Sequence, residues 1–433
     1  MLLPKKGGKI NITTTILVIT DLMKPILIKL LPISFLRKVK SHLVNSSMKK
    51  LVTEPNYLPF AREAHADGVN LIGYIQGEIG LGQSCRLVAE SLAASKVGFT
   101  IYNYSQVSAM RMGDDSWNYK VTNTTPYNIN IIHINPYELP LAYFRIGNSV
   151  WDRRYNIAFW LWELESFPDE WKLAVNLVDE IWTPSEFVSS SIRKITNKPV
   201  RTVPYAVKTP ICGTYTRTDF NLPDDKVLFL CMYDCNSTMS RKNPIGAIDA
   251  YKQAFFGTDK NVGLVVKVNN SQQSDLDDIK EAISTCSDVF IISEALSKEQ
   301  VNALIACVDV YVSLHRAEGF GLVPMEAMFL GTPVIATNWS ANTEFMNNDV
   351  ACMVDYTLTS ITQDSGPYKA GNRWAEPKIV HAAEYMKKLA VDTGLRDSLA
   401  EKARFHVMEH FAPERADRII RSRIEEIYRK ATV

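Results

Sequence analysis

Two kinds of hydrophobic pattern alternate along the chain. Runs of about four to eight apolar, mostly β-branched or aromatic residues indicate buried strands, and the stretches between them carry apolar residues at helical spacing. The predicted strands cover residues 68–75, 98–102, 129–134, 157–160, 180–183, 227–233, 264–268, 289–292 and 308–313. Strands that alternate with helices in this way favour mostly parallel sheets covered on both faces. The pattern therefore predicts an α/β protein.

The alternation occurs twice, before and after a stretch at residues 202–210 that resembles a linker. We predict four segments: an arm at 1–50, a first α/β domain at 51–208, a second at 209–410, and a final helix at 411–433. In the last segment Ala416, Ile419, Ile420, Ile424 and Ile427 recur at helical spacing. A chain of 433 residues with 46% hydrophobic residues is long enough to form two cores.

Charge and cysteine content exclude some classes of protein. A net charge of +1 gives no global reason to expect nucleic acid as a partner. The seven cysteines show no paired framework, which favours a reducing compartment and buried thiols. Cys231 and Cys235 have a spacing that could begin a metal site, but no second pair or histidine cluster follows them. No metal is predicted.

Residues 1–50 differ from the rest of the chain. They carry ten Lys or Arg and one acidic residue, Asp21, and their apolar clusters are broken by charged residues and prolines such as Pro25 and Pro32. The broken run is too short to span a bilayer, and the pattern of a signal peptide is missing. Two alternatives stay open: an arm that lies on an anionic membrane surface, and a helical arm packed on the first domain.

The stretch at residues 315–326 combines two carboxylates with a tight glycine turn. Glu318 and Glu326 bracket Gly-Phe-Gly at 319–321, a strand is predicted before the turn, and a helix ending at Gly331 is predicted after it. Free backbone N–H groups at a helix start suit a diphosphate. Glu326 is placed to accept hydrogen bonds from a ribose diol, and Glu318 to reach another part of the same ligand. The sequence predicts a site for a nucleotide sugar.

The same stretch resembles a known signature. Glu318 and Glu326, seven residues between them, followed by Gly-Thr-Pro-Val-Ile-Ala-Thr at 331–337, resemble the motif of retaining glycosyltransferases of family four. The resemblance covers residues 68–433 and is strongest from 308 to 346. It implies the GT-B fold: two doubly wound, Rossmann-like domains that face a central cleft, with the last helix crossing back to the first domain.

The resemblance also assigns residues to the donor. Lys242 falls at the family's phosphate-binding lysine. The family's arginine is missing near residues 233–234, so either Arg241 takes its role or no residue does. A basic pair that is only solvated at the surface is the alternative. Together with Glu318, the pair Arg241 and Lys242 forms the expected catalytic set. The expected donor-binding set is Glu326, Gly319, Phe320, Gly321, Leu322, Ser293, and Gly80 and Gly82 of a glycine-rich loop after the first strand. A glycine loop that forms a turn without a ligand is the alternative for that loop.

A second group is expected on the acceptor or sugar side. Trp160, Trp162 and Glu163 follow a predicted strand and combine aromatic faces with a carboxylate, the groups through which proteins bind sugars. An aromatic plug between helix and sheet is the alternative. His133 lies at another strand end, where it is either near the sugar or satisfied in the core. His315 stands just before Glu318, where the family usually has a different spelling.

The resemblance implies a retaining hexosyltransferase. It would move a hexose, mannose-type favoured, from a GDP- or UDP-linked donor to a lipid-linked surface glycan such as an O-antigen, without metal or other cofactor, at the cytoplasmic membrane face. The Ser-Leu-His-Arg spelling at 313–316 and Trp-Glu-Leu at 162–164 are similar to a bacterial surface-polysaccharide subgroup. A sugar-nucleotide epimerase would need a different carboxylate pair. A non-catalytic nucleotide-sugar or glycan-binding subunit stays open.

Overall fold

The computed structural model describes residues 52–105, 111–207, 209, 215–255, 257, 261–286 and 288–431. The predicted membrane-binding or packed arm at 1–50 lies outside the described residues. Among the helices of the described ranges, none is both long enough and apolar enough to cross a membrane.

The first half folds into a six-stranded parallel sheet with the strand order β2-β1-β3-β4-β5-β6. Its strands are β1 (Ala66–Gly73), β2 (Phe99–Asn103), β3 (Tyr127–His133), β4 (Tyr155–Phe159), β5 (Glu180–Thr183) and β6 (Val200–Thr202). Its helices are α1 (Gly80–Ala94), α2 (Leu139–Ile146) and α3 (Glu186–Arg193), with 3-10 segments at Arg62–Ala64, Asn118–Lys120, Asn148–Val150 and Asp169–Leu177.

The second half forms another six-stranded parallel sheet, ordered β12-β11-β10-β7-β8-β9. Its strands are β7 (Val227–Asp234), β8 (Val262–Asn269), β9 (Val289–Ile292), β10 (Val310–Ser313), β11 (Val334–Thr337) and β12 (Cys352–Val354). Its helices are α4 (Met239–Lys242), α5 (Pro244–Phe255), α6 (Gln273–Ile283), α7 (Lys298–Cys307), α8 (Leu322–Leu330), α9 (Ile379–Val391) and α10 (Thr393–His410), and 3-10 segments lie at Arg217–Phe220, Cys235–Ser237 and Ala341–Glu344. An antiparallel hairpin, β13 (Tyr356–Ser360) and β14 (Arg373–Pro377), stands apart from this sheet.

Each parallel sheet has one point at which the strand order changes direction. In the first sheet this point lies between β1 and β3, and in the second between β7 and β10. Loops at the carboxyl ends of the strands on either side of such a point open a crevice, which is where doubly wound proteins bind ligands. In the second sheet those two loops carry the predicted basic pair and Glu318.

Buried amide side chains connect three strands of the first sheet. Asn70 donates to Asn130 Oδ1 at 2.9 Å, and Asn130 donates to Asn156 Oδ1 at 2.8 Å, across β1, β3 and β4. All three side chains are fully buried. Because an unpaired buried amide is costly, this row of hydrogen bonds favours one register of the strands.

The final helix α11 (Pro413–Ala431) crosses back to the first sheet, as predicted. The Tyr428 hydroxyl accepts from Gly68 N at 2.9 Å and donates to Asn128 Oδ1 at 2.8 Å. On the same helix, Arg423 Nε lies 3.0 Å from both carboxylate oxygens of Glu180, a fully buried residue of β5. This ion pair holds the last helix of the chain on the first domain.

The helix after β1 begins earlier than its pattern predicts. The sequence places a glycine loop at 77–84 and a helix from Cys85, but α1 starts at Gly80. A Cβ atom on Gly82 would lie 2.0 Å from the carbonyl oxygen of Gly77. Gly82 therefore lets the first helical turn pack directly on the preceding loop, and the loop itself is shorter than predicted.

Candidate functional site

The turn between β10 and α8 presents a helix start to the cleft. Gly321, the residue before α8, has φ +97°, a conformation that favours glycine. It supplies no side-chain cap, so the first-turn N–H groups of α8 are available to an anion. Pro324 lies inside this first turn and Gly331 ends the helix with φ +81°, both as the sequence predicts.

The other two residues of the turn connect the domains. A Cβ atom on Gly319 would lie 2.8 Å from the carbonyl oxygen of Trp162 in the first domain, and the Ser185 hydroxyl donates to Gly319 O at 2.7 Å. Phe320 is buried, with its ring centroid 4.8 Å from that of Tyr205. These contacts bring the first domain directly onto the turn, and the donor-binding role of Gly319 and Phe320 stays a prediction.

Glu318 lies in an ion cluster with both predicted basic residues. Lys242 Nζ donates to Glu318 Oε1 at 2.5 Å, and Arg241 Nη1 lies 3.2 Å from Glu318 Oε2. Arg241 Nη1 also donates to Ala317 O at 2.8 Å. Burial alone would raise the pKa of Glu318, but Lys242 and Arg241 outweigh it and lower the pKa to about 2. The carboxylate is therefore ionised at neutral pH.

The basic element has an unusual backbone. Thr238, just before α4, has φ +64°, which is rare for a β-branched residue, and Asn243 after it has φ +53°. Asn243 Nδ2 donates to Leu314 O at 2.8 Å and so fastens the element to the loop after β10. Backbone strain of this kind concentrates at functional sites. Here it accompanies the placement of Arg241 and Lys242 beside Glu318.

His315 stabilises the loop after β10 through buried hydrogen bonds. Its ring nitrogens lie 2.9 Å from Ser313 Oγ and 3.0 Å from Asn342 Oδ1, and the side chain is fully buried. Burial lowers its pKa. Ser340, with φ +75°, accepts from Glu318 N at 2.8 Å. His315, predicted on the sugar side, is thus a buried residue whose two ring nitrogens are both hydrogen-bonded and hold the loop in place.

Glu326 lies one turn into α8, and its side chain is nearly inaccessible to solvent. Lys298 Nζ, on the first residue of α7, donates to Glu326 Oε1 at 2.6 Å. A capping box at Ser297 begins α7. Ser293, the predicted donor-binding residue after β9, is exposed. A ribose at Glu326 would therefore also meet the ammonium of Lys298.

The aromatic residues of the first domain divide into two groups. Trp160 is fully buried and stacks with Phe167 at 6.1 Å, which fits the aromatic-plug alternative. Trp162 is also buried, but its ring stacks at 5.5 Å on Tyr368, a residue of the second half. Glu163 accepts from the Tyr368 hydroxyl at 3.1 Å, and its Oε1 lies 3.9 Å from an Arg241 nitrogen. Glu163 thus joins the ion cluster from the first-domain side.

His133 is a core residue. Its side chain is fully buried, stacks on Phe159 at 5.1 Å, and lies with Nε2 2.6 Å from Ser84 Oγ. Burial lowers its pKa to about 4, so the imidazole is neutral. The Ser84 hydroxyl also bonds Tyr205, the residue that packs on Phe320. Its Nδ1 is buried without a hydrogen-bond partner among the described residues, so the core alternative is met at Nε2 only.

The two glycines of the predicted loop differ in their surroundings. A Cβ atom on Gly80 would meet no atom within 4 Å, whereas Gly82 is required by its contact with the loop before it. Gly80 is the first residue of α1, whose N-cap, Ile79, offers no side-chain acceptor. The loop therefore leaves N–H groups at a second helix start, and a donor-phosphate role for it stays a prediction.

Several residues at the site were not selected by the sequence analysis. Lys298 contacts Glu326, and Tyr368 contacts Glu163. Ser340 and Asn342 contact the loop that carries Glu318. Of these, Lys298 has a signal in the sequence, because the Ser-x-x-Gln pattern at 297–300 places it at a helix start. In the described ranges, no three His, Cys, Asp or Glu side chains lie together as a metal site would require. Metal independence stays a prediction.

Comparison with solved structures confirms the predicted GT-B fold. Anabaena Alr3699/HepE, in complex with UDP and glucose, is 14% identical with a TM-score of 0.62, and the match covers 83% of this chain and 100% of that chain. Sucrose-phosphate synthase from Thermosynechococcus elongatus is 14% identical with a TM-score of 0.60, covering 84% and 99%. At these identities the likeness shows the fold alone.

Sequence comparison defines one domain more closely. Residues 217–362 match the family described as Glycosyl transferases group 1. A stretch of 161 residues is 27% identical to the Homo sapiens alpha-1,3/1,6-mannosyltransferase ALG2, covering 37% of this chain and 30% of that protein. The chain thus matches less than a third of the length of this curated relative. Within a chain of GT-B fold, residues 217–362 are therefore the part that is similar to glycosyl transferases group 1.

Proposed function

We propose that the chain is a glycosyltransferase that uses a nucleoside-diphosphate hexose as donor. The cluster of Arg241, Lys242 and Glu318 carries this proposal. It lies in loops at the carboxyl ends of β7 and β10, beside the uncapped start of α8. Two cations and a helix start suit a diphosphate, and a carboxylate next to them suits the hydroxyls of the attached sugar.

The basic pair would stabilise the leaving group. Charge develops on the nucleoside diphosphate as the glycosidic bond breaks, and preorganised donors are most effective where charge develops. Lys242 donates to Glu318, and its side chain is 24% exposed. A bound diphosphate would therefore compete with Glu318 for this ammonium. Glu318 would then be released towards the sugar.

The finer features follow from the resemblance. We propose transfer with retention, in which the acceptor hydroxyl attacks on the face from which the diphosphate departs, and the donor phosphate takes the proton. Mannose is the favoured hexose, and a 27% identical stretch in a mannosyltransferase supports that choice. The proposed acceptor is a lipid-linked surface glycan at the cytoplasmic membrane face. No metal is needed in this scheme, because Arg241, Lys242 and N–H groups supply the positive charge.

A non-catalytic binding subunit is the second candidate. It is favoured by one observation: both cations of the basic element are already paired with Glu318. Cations already neutralised by Glu318 supply less charge to a leaving group, which would weaken catalysis more than binding. Turnover of a bound donor separates the two candidates.

Calorimetry with UDP, GDP and their hexose derivatives tests the donor site. We expect binding to the wild type, and a loss of about 2–3 kcal/mol in Glu326→Ala, the range for one charged hydrogen-bonded group. Glu401→Ala, an exposed glutamate of α10, is the control and should bind like the wild type. Equal affinity of both variants for every nucleotide would reject Glu326 as the ribose ligand.

A further inference from the structure

The hairpin β13–β14 reaches across the cleft between the domains. In the loop that joins its strands, Ser365 Oγ lies 2.6 Å from Ser240 Oγ of the basic element. At its second strand, Arg373 lies 3.2 Å from Glu165 of the first domain. The hairpin belongs to neither parallel sheet. It therefore contacts both sides of the candidate site without being needed to complete either sheet.

Tyr368 is the residue through which this hairpin enters the site. It is 3% exposed, and its hydroxyl donates to Glu163 Oε2 at 3.1 Å. Its ring stacks on Trp162 with an interplanar angle of 30°, and the Arg241 guanidinium carbon lies 5.8 Å from the ring centroid. Burial raises the pKa of Tyr368, so the phenol keeps its proton and remains a donor.

The guanidinium group of Arg241 lies between Glu163 and Glu318. Glu163 Oε1 lies 3.9 Å from Arg241 Nη2, and Arg241 Nη1 lies 3.2 Å from Glu318 Oε2. Arg241 Nε has no hydrogen-bond partner within the described part of the chain, although the side chain is buried. A buried donor without a partner marks a place where a ligand atom can complete the network.

We infer that Tyr368 is a sugar-recognition residue, which with Glu163 forms a subsite for hexose hydroxyls on the first-domain side of Arg241. This inference rests on the proposed glycosyltransferase function. The Tyr368 hydroxyl occupies one oxygen of Glu163 and orients the carboxylate, whose side chain remains 22% exposed. The second oxygen, 3.9 Å from Arg241 Nη2, has lone pairs left to accept from a sugar hydroxyl, and the phenol oxygen can itself accept another hydrogen bond.

The same hydroxyl chemistry belongs to the hexose of the donor and to a hexose of the acceptor. The position fits both, because Arg241 belongs to the basic pair proposed to bind the diphosphate, and the acceptor hydroxyl would approach beside the departing phosphate. A donor subsite and an acceptor subsite differ in which affinity a substitution of Tyr368 would change. A donor subsite affects the extra affinity that the hexose adds to a nucleoside diphosphate, and an acceptor subsite affects the binding of free hexosides.

The test uses Tyr368→Phe in the full chain, with Tyr155→Phe as a matched control. Tyr155 also donates from a part-buried hydroxyl to a glutamate, Glu180, at 2.9 Å, but beside α11. In the first arm, calorimetry gives the Kd of UDP and GDP and of their mannose and glucose derivatives. In the second arm, octyl mannoside and octyl glucoside are titrated with and without saturating UDP or GDP.

We expect Tyr368→Phe to leave the Kd of UDP and GDP unchanged. It should weaken either the binding of the nucleotide hexoses or the binding of the octyl hexosides about tenfold, the effect of losing one good hydrogen bond to a charged network. Tyr155→Phe should leave both arms unchanged. Glu163→Gln should weaken binding of the same hexose ligands as Tyr368→Phe, and it provides a second test if the first variant folds poorly.

Unchanged hexose binding in both arms for Tyr368→Phe and Glu163→Gln would overturn the inference. A parallel loss of nucleotide and hexose affinity would also overturn it, since a residue with a purely structural role would act on both. If the wild type binds no nucleoside diphosphate, the proposed function fails, while the hexoside titration without nucleotide still decides the role of Tyr368.

Discussion

The ammonium of Lys242 lies 2.5 Å from the carboxylate of Glu318, although 76 positions separate the two residues in the chain. The contact exists because β7 and β10 are neighbours at the point where the second sheet changes direction. With its pKa lowered to about 2, Glu318 stays ionised and holds Lys242 in place. The pair thus keeps the cation of the proposed leaving-group site in position before the donor arrives.

Lys242→Ala should lower turnover of a nucleotide sugar about a hundredfold or more, if Lys242 acts like other donors to developing charge. Initial rates of nucleoside diphosphate release measure this. Lys387→Ala, an exposed lysine of α9, is the control and should react at the wild-type rate. If Arg241→Ala alone shows the loss, then Arg241, not Lys242, is the phosphate ligand.

The sequence predicts the elements around Glu318 well, because local patterns determine them. The strand before the turn, Pro324 in the first turn and Gly331 at the helix end all follow from short-range chemistry. The carboxylates Glu318 and Glu326 could be selected from their spacing for the same reason.

The role of Gly319 could not be predicted in this way. The turn pattern favoured a ligand, but the residue is small because the backbone of Trp162 from the other domain packs against it. Tyr368 was missed for a related reason, since it lies in a hairpin loop with no motif of its own. Contacts between distant segments depend on tertiary packing, which neither periodicity nor spacing records.

His133 should make stability depend on pH. Its folded pKa of about 4 is below the ordinary 6.5, so the unfolded chain binds more protons between these values. The free energy of unfolding should therefore fall as the pH drops from about 6.5 to 4, by up to about 3 kcal/mol from this group. Urea titrations across this range should give a flatter pH dependence for His133→Gln. Parallel curves for wild type and variant would contradict the assignment.

The ion pair that holds α11 should contribute to stability. Glu180 and Arg423 are both buried, so Glu180→Gln leaves a buried guanidinium with less compensation, at a cost of about 3 kcal/mol. Lys430→Ala removes an exposed pair on the same helix and should change the free energy of unfolding by less than about 1 kcal/mol. Urea unfolding compares the two. Equally small losses of unfolding free energy in both variants would show that the Glu180–Arg423 pair contributes little to stability.

Deleting residues 1–50 should release the chain from anionic vesicles while leaving nucleotide-sugar hydrolysis largely intact. The ten basic side chains would each contribute about 1 kcal/mol near an anionic surface, and salt would screen this attraction. Cosedimentation with phosphatidylserine vesicles at two salt concentrations measures it. Equal binding by both chains would reject the membrane alternative, and loss of folding on truncation would favour the packed-arm alternative.

The central claim is that the chain transfers a hexose from a nucleotide sugar. Proton NMR of the purified full chain with UDP- and GDP-hexoses follows both release of the nucleoside diphosphate and the anomer formed first. We predict slow hydrolysis of one donor with retained configuration, and its loss in Lys242→Ala. Tight binding of a donor without turnover, even with hexoside acceptors added, would contradict the enzyme and establish a binding subunit, and an inverted first product would contradict retention.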